Sequence, residues 1–354
     1  MLEQNDNPNL DLLRALAVSM VLVFHLLRYY GISSVHGTSL AYLGLGGVLF
    51  FFVHTSLVLM FSLERLQKRY QSLHLYLAFL TRRVFRIYPL SVFAVLLIVI
   101  LRLPLGGLAK GSFQAISVTP LGVLSNLFLV QNITNTQSVL GPLWSLPFEM
   151  QMYVLLPLLF WWSLKARSAW PLFVLWILAA ALAWVDIHFG HMPDLVRYIP
   201  CFLPGVIAYK LGAGCLPRLP SYLWPIFLAA VLTGLLYMGR MEAGWFVCLL
   251  IGVAIPQFKL LGAGRLRATA KVLAKYSYGI YLGHYFCMWL AFSKMHGRSW
   301  ELQWIILLVT LTLVPIVLFQ VIEEPMINKG GRLVDILFRQ RNVASGATLE
   351  PQVP

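Results

Sequence analysis

Arg14 and His25 stand eleven positions apart in the apolar run LDLLRALAVSMVLVFHLL, residues 10–27. At about 100° per residue, eleven steps return to within about 20° of the starting direction, and at 1.5 Å per residue they cover roughly 16 Å of helix axis. One face of this helix therefore carries a cation near one end and a titratable imidazole near the other. Ionisable groups at membrane depth are costly unless they face a cavity, a partner or water. Either residue alone reads most simply as an interfacial arginine or a core histidine. The two on one face point to a site.

Three further clusters could do chemistry. In LTRRVFRIYP, residues 80–89, Arg83 and Arg86 lie one helical turn apart on a shared face. Paired guanidinium groups suit a phosphate or pyrophosphate; charge alone points rather to anchoring on anionic lipid, and what favours a site is Arg14 at a similar depth on the same side. In GPLWSLPFEMQMY, residues 141–153, Glu149 is a carboxylate a few positions inside an apolar span and needs a partner. Its expected depth matches that of His25. A carboxylate beside an imidazole orients the ring and raises its basicity, as a general base requires; the alternative is a structural ion pair between helices. In YSYGIYLGHY, residues 276–285, Tyr278, Tyr281 and Tyr285 share a helical face, with His284 one position off it. This reads as a cavity wall or as structural hydrogen bonding. His54, mid-span, reads as structural, and His188 and His191 as solvated outer-loop residues.

The elements that must position these groups are membrane helices. The 354 residues are 59% hydrophobic and 11% charged, against about 25% charged in soluble domains. Ten spans are expected at 11–30, 43–62, 87–103, 144–163, 170–188, 197–212, 221–238, 244–258, 276–293 and 302–322. The fold class is an all-α polytopic membrane protein, with a short re-entrant or surface helix near 118–131. If that segment crossed, every later loop would invert. With the N-terminus cytoplasmic and 118–131 not crossing, 19 of the 27 lysines and arginines fall in cytoplasmic segments and 7 on the opposite side. Both termini are then cytoplasmic and 104–143 lies outside. The same clustering argues against nucleic acid as the reason for a net charge of +14. The N-terminus lacks the basic region of a cleavable signal peptide, so the first helix is expected to stay. Cys201, Cys215, Cys248 and Cys287 have no metal spacing and read as packing residues. One membrane domain, residues 1–342, and a disordered tail at 343–354 account for the chain.

No G-x-S-x-G, H-E-x-x-H, Walker or Rossmann motif occurs, and no metal site is indicated. The clusters that do occur, in this order, resemble the acyltransferase-3 family, integral-membrane enzymes that acylate surface sugars and related acceptors. The resemblance rests on Arg14 and His25 in the first span and the R-x-x-R of Arg83 to Arg86. It continues with the W-S-L-x-x-E-x-x-x-Y of Trp144 to Tyr153, the S-Y-x-x-Y-L-x-H of Ser277 to His284, and a late Glu323-Glu324-Pro325. One departure lies in the second span, where Thr55-Ser56 stands in place of the Ser-Gly of many relatives. Loss of that glycine is expected to narrow the close packing of helices.

The resemblance implies transfer of an acyl group, most often acetyl, from acyl-CoA (acetyl-CoA) to a hydroxyl, as in O-acetylation of a polysaccharide. The acceptor would be a glycan or lipid-linked sugar, and the location the bacterial inner membrane. His25 would be the general base, oriented or charge-supported by Glu149. Arg14, Arg83 and Arg86 would hold the CoA phosphates, with Thr55, Tyr153, Tyr278 and His284 lining a tunnel. Direct transfer and an acyl-histidine intermediate both stay open, as do acetyl against longer or succinyl donors, and a homo-oligomer against a monomer. The rival class is a transporter or flippase of a glycan or small metabolite. Against it stands the absence of internal repeats and of Gly/Pro-broken helices in matching halves.

Overall fold

The structure is a computed structural model that describes residues 7–339 apart from Lys110, His191 and Cys215. The tail expected at 343–354 and the outer-loop His191 lie outside the described residues. Twelve α-helices occur among the described residues: α1 Pro8–Tyr29, α2 Ala41–Gln67, α3 Ser72–Leu101, α4 Pro120–Leu127, α5 Leu146–Lys165, α6 Trp170–Phe189, α7 Ile199–Gly212, α8 Leu223–Met238, α9 Met241–Ala254, α10 Arg265–Met288, α11 Trp300–Leu318 and α12 Glu324–Arg339. Each of the ten expected spans coincides with one of them. Six helical stretches are long and apolar enough to cross a membrane (α1, α2, α3, Gly141–Lys165, α6 and the continuous α11–α12 run), and α7, α8 and α9 are shorter apolar helices. The chain is an integral membrane protein.

Two boundaries move in ways that matter. α3 starts at Ser72, fifteen residues before the expected span, so Arg83 and Arg86 lie well inside a 30-residue helix rather than at its mouth. α11 runs through a π-helical turn, Phe319–Glu323, straight into the amphipathic α12.

The segment near 118–131 forms only the eight-residue α4, about 12 Å long. Thr119 caps it, its side chain accepting from the Gly122 amide. Its polar side faces inward: Ser125 and Asn126 are buried, whereas Leu121, Leu124 and Phe128 are exposed. Asn126 donates to the carbonyls of Gly122 and Gln137 and accepts from the Val139 amide, which folds the segment back on itself. The segment is a surface helix, and helix direction agrees. Arg14 of α1 meets Ser277 of α10, and eleven residues on His25 meets His284. The two helices therefore run parallel, as a first and a ninth span must. A crossing at 118–131 would make α10 a tenth span and antiparallel to α1.

α2 is the hub, packed against α1, α3, α5, α7, α8 and α9. Small residues set how close its neighbours come. A Cβ on Gly47 would stand 2.6 Å from the Ala17 carbonyl oxygen of α1. Ser56, at the position where the resemblance expected glycine, is fully buried and donates its hydroxyl to the Phe52 carbonyl one turn back (2.8 Å). The close approach expected to narrow is kept by Gly205 of α7: a Cβ there would meet Ser56 Oγ and come within 2.5 Å of the Val53 carbonyl oxygen. Gly205→Ala should therefore destabilise the solubilised protein by about 1–3 kcal/mol, the usual cost of overpacking. Gly262→Ala, with nothing within 4 Å of its added carbon, should leave thermal unfolding unchanged. Equal melting of the two variants would mean that α2 and α7 do not pack this way.

Candidate active site

The chain enters α5 through a 3-10 turn, Gly141–Ser145, that is itself buried. Gly141 lets this turn approach α10, since a Cβ there would stand 2.5 Å from the Tyr285 ring. Tyr281 donates its hydroxyl to the Pro142 carbonyl (2.8 Å), so the Ser145 hydroxyl donates to Tyr281 (2.8 Å). α5 thus begins inside the protein, and Glu149, on its first turn, sits deeper than a span starting at the surface would place it.

Glu149 opens onto a chamber of about 280 Å³ at the junction of α1, α2, α3, α5 and α10. Arg14, Thr55, Arg83, Arg86, Glu149, Tyr153 and Tyr278 all line it, so seven of the nine side chains singled out in the sequence share one cavity. Arg14 donates from Nε to Ser277 Oγ (2.5 Å). Arg83 reaches Ser62 Oγ (3.4 Å) and lies over the Phe79 ring, 5.7 Å from its centroid. Tyr153 donates to Glu149 one turn back on α5. Tyr278 donates to the Ile87 carbonyl of α3 (2.8 Å).

The charge in this chamber is not paired off. Among the described residues no salt bridge joins its three arginines to a carboxylate, in contrast to Arg197, which pairs with Asp186 and Asp194. Glu323, on the π-turn, interacts electrostatically with Arg86 and Arg14, yet its Oε1 is buried without a hydrogen-bond partner. His54 lines the same wall with Nδ1 buried and unpartnered, and feels both Arg14 and Arg86. His54 reads from its setting in the chain as structural, and Glu323 stands out only as part of Glu323-Glu324-Pro325. Their signal was faint: a lone histidine in an apolar run, and an acid at the start of an amphipathic one.

The two remaining side chains lie elsewhere. His25 and His284 pair with each other, His284 Nε2 to His25 Nδ1 at 3.0 Å, with ring centroids 5.0 Å apart. This corrects the expected partnership of His25 with Glu149. The buried turn before α5 sets Glu149 among the arginines, and α10 supplies the ring that His25 meets. The pair has one consistent protonation when both rings are neutral. His284 Nδ1 faces the carbonyls of Tyr281 (2.8 Å) and Ile280 (3.1 Å), which only accept, so it carries the proton. His284 Nε2 is then an acceptor and His25 Nδ1 the donor. His25 Nε2 is left with a free lone pair, the state a general base needs. Tyr285 packs edge-on against His25 (4.9 Å) and is touched in turn by Phe113 of a two-stranded hairpin, Gly107–Ala109 with Ser112–Gln114. Arg28 donates to the Leu108 carbonyl of the same hairpin, which fixes this loop over the histidine pair (3.0 Å).

A cationic chamber and an oriented imidazole stand along one pair of parallel membrane helices. The comparison with known families makes this specific. The model of the acyltransferase-3 family, described as an acyltransferase domain, matches residues 7–321, and the chain belongs to that family of membrane acyltransferases. It is also similar to an uncharacterised protein of Aquifex aeolicus (strain VF5), 28% identical over 164 residues, which are 42% of this chain and 70% of that one. No solved structure matches.

The Tyr153–Glu149 bond separates structure from charge. Glu149→Gln keeps an acceptor for the buried hydroxyl, whereas Glu149→Leu leaves it without one, a loss of about 1–3 kcal/mol. Thermal unfolding should rank the leucine variant below the glutamine variant by that amount. Identical melting would show that Glu149 does not hold Tyr153 in place.

Proposed function

We propose that this acyltransferase moves an acyl group, most often acetyl, from cytoplasmic acyl-CoA to a hydroxyl of a sugar or glycan near the outer face of a bacterial inner membrane. The observation that carries this reading is the parallel pairing of α1 and α10. It puts Arg14 and Ser277 at one level and the His25–His284 pair at another, roughly 10 Å further along α10. A donor bearing phosphates at one end and a thioester at the other of a long arm suits that separation.

His25 Nε2 takes the proton of the acceptor hydroxyl as its oxygen attacks the thioester carbonyl. The carbon–sulfur bond breaks, and the departing thiolate receives the proton from the imidazolium. His284 acts through His25: by accepting from Nδ1 it holds the ring in the tautomer with Nε2 bare, and its contact gains strength as His25 becomes charged. Arg14, Arg83 and Arg86 attract the phosphates, and Thr55, Tyr153 and Tyr278 shape the path between. Glu149 serves the arginines by moderating their mutual repulsion. The excess of lysine and arginine at the end bearing both termini supports a cytoplasmic donor side.

The test is release of free CoA from acetyl-CoA by purified protein with a glycan acceptor. His25→Asn should lose about 10²–10⁴-fold of the transfer while still folding and binding acyl-CoA. His284→Asn should lose less and shift the pH dependence of the remainder, because the base survives without its fixed tautomer. Near-normal transfer by folded His25→Asn protein would remove His25 from the reaction. Sidedness is tested separately: cysteines placed at Ser112 and Lys271 should label from opposite faces in intact cells, Ser112 from outside. Labelling of both from one face would overturn the donor route.

A further inference from the structure

The last helix lies beyond the residues that match the family, and it makes a second cavity. α12 docks on α3 through Gly330, where a Cβ would come 2.5 Å from that of Phe85, and through the fully buried Val334. Tyr70, in the turn before α3, donates to Asp335 Oδ1 (2.9 Å) and ties the far end of α12 down. Between the two helices runs a groove of about 600 Å³, lined from α3 by Arg82, Arg83 and Arg86 and from α12 by Asn328, Arg332 and Asp335, among others. Four guanidinium groups thus face one carboxylate, already engaged by Tyr70. The Nε atoms of Arg82 and Arg83 are buried without a hydrogen-bond partner. Gly331 lines the groove with nothing within 4 Å of where its Cβ would stand, so the floor is open at that point. Arg83 and Arg86 line both this groove and the chamber, and so form a wall common to the two.

Like charges held this close repel one another unless a multiply charged anion lies among them. Guanidinium forks from two helices suit several phosphate oxygens at once. We propose that the α3–α12 groove binds the phosphorylated ribose of the donor's nucleotide end, with Arg82 and Arg332 as phosphate ligands and Asn328 as a neutral donor, while the diphosphate lies at the shared wall of Arg83 and Arg86 and the acyl arm extends from there into the chamber. The inference rests on the acyl-CoA reading above and adds to it a binding surface, made half by α12. Gly331 keeps the groove open, and α12 is a clamp on the donor as well as the end of the membrane bundle.

The shared chemistry is a phosphate ester, and the headgroup of an anionic lipid carries one as well. The full chain is therefore reconstituted in nanodiscs of neutral phosphatidylcholine and titrated with adenosine 3′,5′-bisphosphate, which has neither thiol nor acyl group. Wild type should bind with a steep salt dependence. Arg332→Ala and Arg82→Ala should each weaken binding about 10-fold to 100-fold, the size of a charge-assisted hydrogen bond. Arg332→Lys should recover only part of it, and Gly331→Leu should weaken binding by filling the groove while thermal unfolding stays unchanged. Affinity unaltered in Arg332→Ala and Gly331→Leu would overturn the proposal. So would a groove that ignores the bisphosphate and instead enriches phosphatidylglycerol in an Arg332-dependent way, which would make it a headgroup site. If the bisphosphate binds as expected but no CoA is ever released from acetyl-CoA, the groove stands and the acyl-transfer reading falls. If transfer proceeds with an unchanged KM for acetyl-CoA in Arg332→Ala and Gly331→Leu, the groove falls and the acyl-transfer reading stands.

Discussion

Three guanidinium groups converge inside an apolar bundle, and the helices around them are arranged to make that tolerable. A buried charge without compensation is among the most destabilising features a protein can carry. Here compensation is spread out. Arg14 is held by a serine hydroxyl of α10, and Arg83 by a serine of α2 and an aromatic face of its own helix. Two carboxylates, Glu149 and Glu323, stand within electrostatic reach without closing onto the arginines as salt bridges. Closed bridges would have stabilised the empty chamber and left little charge for an anionic ligand. An open, net-positive cavity trades some stability of the free protein for readiness to bind.

The parallel run of α1 beside α10 organises the rest. Seven residues of α10 separate Ser277 from His284, and eleven of α1 separate Arg14 from His25, so two polar layers are fixed by one packing interface. α2 brings α1 close through Gly47, and α7 meets α2 through Gly205 against Ser56. The long segment between α3 and α5 contributes twice. Its end dives inward as the turn that sets the depth of Glu149, and its hairpin lies over the histidine pair through Phe113 and the Leu108 carbonyl. A segment that never crosses the membrane thus shapes both ends of the polar path.

α3 joins the interior to the opposite end of the molecule. Because it begins at Ser72, its arginines project from a continuous helix whose one side faces the chamber and whose other side faces α12. The π-turn that leads into α12 places Glu323 inward and re-aims the chain so that Gly330 and Val334 meet α3.

The sequence by itself determined the class and the inventory. Apolar length sets ten spans, because lipid leaves a helix backbone no other way to satisfy its hydrogen bonds, and all ten are helices here. It also set apart the polar side chains of the spans, since an ionisable residue there stands out against its surroundings: Arg14, Arg83, Arg86, Glu149, Tyr153 and Tyr278 were legible before any fold, and they share one chamber. Partnership was not legible. Depth counted along a span paired Glu149 with His25, and the fold instead set Glu149 beside Tyr153 and His25 beside His284. Three facts behind that change have no periodic signature: a buried turn at Gly141–Ser145, an early start to α3, and a parallel contact between helices whose touching residues lie 259 and 263 positions apart in the chain. Periodicity reports which face a residue occupies and roughly how deep it lies. Which neighbour it meets depends on how whole helices pack, and that is decided by small residues such as Gly47, Gly141 and Gly205, whose effect appears only once the facing helix is in place.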